Sequence, residues 1–163
     1  MTLDKSWIRA ALAAGLIALA APLAQAHGML ERDFIVQESP ADVATTTEAL
    51  VAAIEGAGAT VFAVIDHAAG AASVDQSLND AQVVIFGNPA LGTQVMQDDL
   101  LAGLALPLRI LVYEGDDGVT RLAHEDPSAF LGGYDVSPEA PYMETIRGAL
   151  MRLGAAAIEN VQP

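Results

Sequence analysis

Three short runs rich in β-branched and aromatic residues dominate the middle of the chain: Thr60-Val61-Phe62-Ala63-Val64-Ile65, Gln82-Val83-Val84-Ile85-Phe86, and Leu106 to Tyr113. Runs of this length and composition favour a pleated sheet over a helix. The first two close on turn residues, Asp66-His67 and Gly87-Asn88-Pro89, and both read as strands buried on two faces. A chain organised around them must build a sheet. With no cysteine, it must hold that sheet by apolar burial, without disulfides, thiolate metal sites or a thiol nucleophile. Its 163 residues are 53% hydrophobic, enough for one domain with a core and too apolar for a disordered acidic tail.

The start of the chain carries a different signal. Lys5 and Arg9 precede the apolar stretch 10–21, Pro22 follows, and Ala24 and Ala26 match the small-residue cleavage pattern. Residues 1–26 are therefore expected to be a secretory signal peptide cut before His27, with residues 27–163 a single α+β domain delivered to the periplasm. The apolar stretch falls short of the roughly 20 residues that span a bilayer, so no stable membrane anchor is expected after cleavage. The formal charge is -14, from 7 basic and 21 acidic residues. No basic stripe exists to displace counterions from a phosphate backbone, which excludes nucleic acid as a partner. Phe34, Phe62, Phe86, Tyr113, Phe130, Tyr134 and Tyr142 occur singly and make no stacking platform for bases.

Around the central runs, the order reads strand, helix, four strands, helix. A short strand is expected at Asp33 to Val36. Ser39-Pro40-Ala41-Asp42 carries a helix start, with Ser39 as N-cap, Pro40 at N1 and Asp42 at N3. Val43, Thr47, Leu50, Val51 and Ile54 follow at near-helical spacing, and Gly56 and Gly58 end the helix. Residues 68–81 include a short helical turn at Ala71 to Val74. Leu91 to Leu101 reads as a helix capped by Asn88 with Pro89 at N1. Glu114-Gly115-Asp116-Asp117-Gly118 is an acidic turn between the third run and a strand at Val119 to Ala123. Ser137-Pro138-Glu139 repeats the helix-start pattern, and Met143, Ile146, Leu150, Leu153 and Ala157 form the apolar face of a last helix. The expected fold is α+β, a largely antiparallel sheet covered by two long helices, with short helical insertions. The pairing of strands 60–65 and 82–86 stays open between parallel and antiparallel, because the connection suits either.

A strand ending in Asp66-His67, then Phe86-Gly87-Asn88-Pro89-x-x-Gly92-Thr93-x-x-Met96, then Leu106-Pro107-Leu108-Arg109-Ile110-Leu111-Val112-Tyr113, resembles the bacterial family called domain of unknown function 302 over roughly residues 34–158. The resemblance implies a small fold similar to the TATA-binding-protein-like arrangement, commonly dimeric, with no assigned activity. An aromatic residue is expected where His124 stands.

Read for chemistry, Asp66, His67, Gly87, Asn88, Pro89, Gly92, Thr93 and Met96 are the candidate ligand-binding set. Gly87 permits an unusual backbone, Asn88 caps a helix and Pro89 starts it, and free N–H groups at that start could receive an anion or carboxylate. No Gly-Lys-Ser/Thr follows, so this is no Walker loop. His67 is the candidate general base of a hydrolase-like or other enzyme, but Asp66 and His67 are strand neighbours and point to opposite faces. No serine sits in a G-x-S-x-G elbow. For metal, His27 at a newly cut amino terminus would offer copper an α-amine and an imidazole, with His67, His124, Met29 or Met96 as further donors. The three histidines lack H-x-x-x-H spacing, and Glu114, Asp116 and Asp117 are too few for a calcium loop. No cofactor is expected. The leading expectation is an exported small-ligand-binding or interaction domain, a homodimer whose ligand sits near Asp66, His67, Asn88 and Thr93.

Overall fold

Alternation along the strands decides the architecture. The computed structural model describes residues 34–161, and in it five strands form one sheet: β1 (Phe34–Ser39), β2 (Thr60–Asp66), β3 (Ala81–Gly87), β4 (Leu108–Glu114) and β5 (Thr120–Glu125). Their order is β1-β5-β4-β3-β2, and every neighbouring pair is antiparallel. This closes the open question of the 60–65 and 82–86 pair, since Val64 lies opposite Val84 in an antiparallel ladder. The helices are α1 (Val43–Gly56), α2 (His67–Ala72), α3 (Pro89–Asp98), α4 (Pro127–Leu131) and α5 (Pro141–Asn160), with a 3-10 helix at Leu100–Leu104. The chain is thus the expected α+β fold.

All the fully buried strand residues share one face of the sheet. Val84 and Phe86 of β3, Leu108, Ile110 and Val112 of β4, Leu122 of β5 and the polar Ser39, Thr120 and His124 lie beneath the helices. The long helices α1 and α5 pack side by side over them. Helix α1 buries Val43, Thr46, Thr47, Leu50 and Ile54, and α5 buries Tyr142, Met143, Ile146, Leu150, Leu153, Gly154 and Ala157. Among the described residues, no long helix packs on the opposite face. Across its centre, Val36, Ala123, Leu111, Val83 and Ile65 stand in register on all five strands. On one side of that row lie Phe34, Glu125, Arg109, Ile85 and Ala63; on the other lie Glu38, Arg121, Tyr113 and Ala81. The expectation that β2 and β3 are buried on two faces is therefore wrong for this chain: one helix layer covers one face, and β2 is an edge strand with Phe62, Val64 and Ile65 exposed.

Both expected serine caps are displaced. Ser39 stays in the β1 ladder opposite Thr120, and its hydroxyl bonds that of Thr46 at 2.7 Å, buried under α1. The cap of α1 is Asp42, which accepts from Thr45 N–H at 2.8 Å, and that hydrogen bond holds the Asp42 carboxyl below the usual carboxylate range. At α5 the structure starts at Pro141, not after Ser137; Pro141 disfavours helical geometry for Ala140 and so interrupts any helix begun earlier. Ser137 instead accepts from Glu139 N–H in a turn. The expected helix at Leu91 to Leu101 is also split, because Asp99 is extended (φ -141°, ψ 113°) and caps the 3-10 helix through Leu101 N–H. The acidic turn forms the β4-β5 hairpin as expected, with Gly118 at φ 75° supplying the left-handed position.

One ion pair ties the short α4 to α5. Asp126 caps α4 through Ser128 N–H at 2.9 Å and accepts from Arg147 Nε at 2.8 Å. Its carboxyl is held far below the ordinary carboxylate range, chiefly by Arg147, with Ser128 adding to it. A depressed carboxylate stabilises the fold above its unfolded pKa of about 3.9, and that contribution fades as pH falls below it. Asp126→Ala is expected to cost about 1–2 kcal/mol in urea unfolding at neutral pH, the range for a lost cap. Asp126→Asn keeps a capping oxygen, so its smaller deficit should shrink as pH drops beneath about 4.

Candidate functional site

At the end of the sheet where β3 runs out and β4 begins, α3 and the 3-10 helix stand beside α5 over the strands. A cavity of about 430 Å³ lies there. Phe62 from the β2 edge, Leu106, Pro107 and Leu108 at the start of β4 and Ile146 from α5 form its walls and floor. The Leu106-Pro107 peptide bond is cis. Leu91, Gly92 and Met96 close it from α3, Gly103 from the 3-10 helix, and Gly87, Asn88 and Pro89 from the turn between β3 and α3. No charged side chain lines it.

Three glycines line this space, and a Cβ on Gly103 would crowd Met96 Sδ at 3.2 Å. A Cβ on Gly87 would come within 3.2 Å of the Phe62 ring, so a side chain there would displace that wall. A Cβ on Gly92 would meet only Leu106 Cδ1, at 3.7 Å, with the cavity beyond it. The α3 roof is fixed from below by Tyr142, whose hydroxyl donates to Asp98 Oδ2 at 2.5 Å. Burial, with the Asp98 carboxylate beside it, pushes the Tyr142 phenol up to about 12. It therefore stays a protonated donor across the physiological range, one helical turn from Ile146.

The backbone N–H groups of the first turn of α3, at the cavity mouth, are already engaged. Asn88 Oδ1 accepts from Ala90 N–H at 2.9 Å, and the Asn88 carbonyl accepts from Leu91 N–H at 3.0 Å and Gly92 N–H at 2.9 Å. The helix start that the sequence offers to an anion is thus satisfied by its own cap. Asn88 and Pro89 act as read from the sequence, N-cap and N1 residue of α3.

The structure divides the expected ligand set. Gly87, Asn88, Pro89, Gly92 and Met96 all line the cavity, and Thr93 sits on the exposed side of α3 without lining it. Asp66 and His67 stand elsewhere. In the antiparallel ladder Thr60 faces Gly87 while Asp66 faces Gln82, about 17 Å along the strands. A cleft shared by Asp66, His67, Asn88 and Thr93 does not exist, because antiparallel pairing sends the end of β2 away from the end of β3. Asp66 is instead the cap of α2, accepting from Ala69 N–H at 2.8 Å and from Gln82 Nε2 at 3.4 Å. His67 is the first residue of α2 and exposed. His124 is buried on β5 under the helices, its Nδ1 3.1 Å from the Glu125 carbonyl and its Nε2 without a partner. That core position accounts for an aromatic being expected there. Among the described residues, no group of three or more His, Cys, Asp or Glu converges to hold a metal ion. His27 and Met29, like the expected signal peptide and its cleavage site, lie outside the described residues. The apolar cavity residues that the sequence reading missed, Phe62, Leu91, Leu106 and Ile146, gave no signal of their own, since each fits a core pattern equally well.

The family described as Domain of unknown function DUF302 matches residues 35–156, from β1 to the last turns of α5. The chain belongs to that family. Its fold is similar to that of an uncharacterized conserved DUF302 protein from Bacillus stearothermophilus, with a TM-score of 0.63 at 18% identity, covering 79% of this chain and 98% of the other. Curated relatives are proteins named fluoride-specific ion channels FluC 1 of Brucella suis biovar 1 and of Brucella abortus biovar 1, each 37% identical over 100 residues and 61% of this chain. The chain spans only 39% and 37% of those two relatives' own length.

Because Asn88 both caps α3 and holds the cavity mouth, Asn88→Ala is expected to lower stability by about 1 kcal/mol, read as a shift of the urea midpoint. His67→Ala, on an exposed side chain outside the cavity, should leave that midpoint within about 0.5 kcal/mol of the parent.

Proposed function

We propose that this DUF302 domain is an exported, periplasmic binding module that works as a homodimer and holds one small, uncharged, largely apolar molecule in the cavity beneath α3. The cavity itself carries the reading. Its volume of about 430 Å³ falls within the roughly 300–1,000 Å³ of small-molecule sites, and such sites are mostly apolar with few polar groups. An anion finds no free N–H in the first turn of α3 and meets a chain of formal charge -14. A neutral ligand gains from Phe62, Leu106, Met96 and Ile146 and pays no such penalty.

In the fluoride-channel relatives the shared segment is under two fifths of the chain. Among the described residues no helix is long and apolar enough to cross a membrane. Both facts suit a module that accompanies other machinery, with the channel activity belonging to the relatives.

Gly92→Leu tests the cavity directly. The new side chain grows into the empty space, and replacing a helical glycine raises helix propensity by up to about 1 kcal/mol. The variant is expected to melt at or above the parent temperature while binding the neutral dye Nile red at least tenfold more weakly. Unchanged dye affinity, or a parent protein that takes up no dye, would remove the ligand reading. Export is tested by intact mass of protein released from the periplasm, which should begin at His27. A mass retaining residues 1–26, or absence from that fraction, contradicts it.

A further inference from the structure

Among the residues that line the cavity, one carries a side chain that mild oxidants attack, the thioether of Met96. Met96 stands four residues after Gly92 on α3, which puts both on the helix face turned to the cavity. It is half-buried, and its Sδ lies 3.2 Å from the point where a Cβ on Gly103 would stand. The sulfur thus packs on the bare backbone of the 3-10 helix, where the two halves of the roof meet. We propose that Met96 is an oxidation switch: a peroxide converts its thioether to the sulfoxide, and the cavity loses its hold on an apolar molecule. The inference rests on the ligand site proposed above and names the regulation of that site.

In the reaction a sulfur lone pair attacks one oxygen of hydrogen peroxide. An S–O bond forms as the O–O bond breaks, the transferred oxygen gives its proton to the departing hydroxide, and water leaves. Sulfur loses the two electrons that the peroxide gains. The product is polar where the thioether was flexible and apolar. No charged side chain lines the cavity, and the N–H groups of Ala90, Leu91 and Gly92 are already bonded to Asn88. An oxygen turned inward therefore takes ligand space without gaining any of those donors. Turned the other way, it meets the Gly103 backbone and drives the 3-10 helix from α3. Either placement weakens the grip on an apolar ligand. Helix α3 buries only Val95, so the roof yields while the sheet beneath it stays folded.

The other described methionines show why this position is the sensitive one. Met143 is 3% exposed in the core, and Met151 is 39% exposed; both lie on α5 and neither lines the cavity. Peroxide reaches Met151 without consequence for the ligand, and the core shields Met143. At Met96 access and consequence coincide. Export to the periplasm, also proposed above, takes the chain away from the reducing pools of the cytosol.

The test treats the full chain purified from the periplasm with hydrogen peroxide, removes the excess with catalase, and measures Nile red affinity beside the sulfoxide content of each methionine by peptide mass. Met96→Leu, which conserves volume, and Met151→Leu are treated in the same way, and each protein is compared with its own untreated sample. The parent and Met151→Leu are expected to lose at least tenfold in affinity as Met96 sulfoxide accumulates, with an unchanged circular dichroism spectrum. Met96→Leu is expected to keep the affinity of its untreated sample. Full affinity in a parent oxidised at Met96, an equal loss in Met96→Leu, or a Met96 that stays reduced while Met151 reacts would each overturn the switch and leave the ligand site standing. A parent that takes up no dye before treatment overturns the ligand reading and the switch together.

Discussion

A five-stranded sheet with one layer of helices has two unequal faces, and the rest of this molecule follows from that inequality. Residues two apart along a strand share a face. The series Leu108, Ile110, Val112 on β4 and Val84, Phe86 on β3 therefore meets α1 and α5 and makes the core. Helix α1 lies over β2, β3 and β4 and helix α5 reaches β1, which covers the width of the sheet. Of the long helices, α5 reaches the end where β3 gives way to α3, through Ile146 and Tyr142. The cavity there is roofed by a shorter helix and a 3-10 turn.

The roof depends on capping more than on packing. Of α3, Val95 is its one buried residue, so hydrogen bonds at its two ends do much to hold it: the Asn88 cap and Pro89 at its start, and Tyr142 of α5 bonded to Asp98 at its end. Segments with few buried apolar contacts open at lower free energy than the core. A wall of this kind admits a ligand without unfolding the sheet beneath it. The three exposed leucines of the following 3-10 helix, Leu100, Leu101 and Leu104, leave that part of the roof equally light in buried contacts.

What the sequence made legible was local. The apolar face of α5, the Asn88-Pro89 start of α3 and the β4-β5 hairpin all follow from residue spacing and turn chemistry, and all appear as read. The displaced caps show where local rules compete: Ser39 satisfies the N-cap pattern, yet ladder pairing with Thr120 and a buried bond to Thr46 hold it in the strand. The candidate site was half legible for a similar reason. Gly87, Asn88, Pro89, Gly92 and Met96 are contiguous in sequence and stay together in space. Placing Asp66 and His67 required knowing the direction of β2 against β3, which is a tertiary fact. Antiparallel pairing carries them to the far end.

The reading of β3 as buried on both faces failed for the single chain, yet its physical basis was sound. Val83 and Ile85 are as apolar as Val84 and Phe86, and on β4 Leu111 lies outward while Ile110 and Val112 lie inward. Nothing in the core requires the outward set, because the helices touch the other face. An acidic chain exposing such a row would present a template for unwanted association. Its centre is apolar, and its margins carry Arg109 beside Glu125 and Arg121 beside Asp117 and Glu38. The residues that misled a one-chain reading of burial are therefore the outward-facing apolar side chains of β3 and β4, Val83, Ile85 and Leu111.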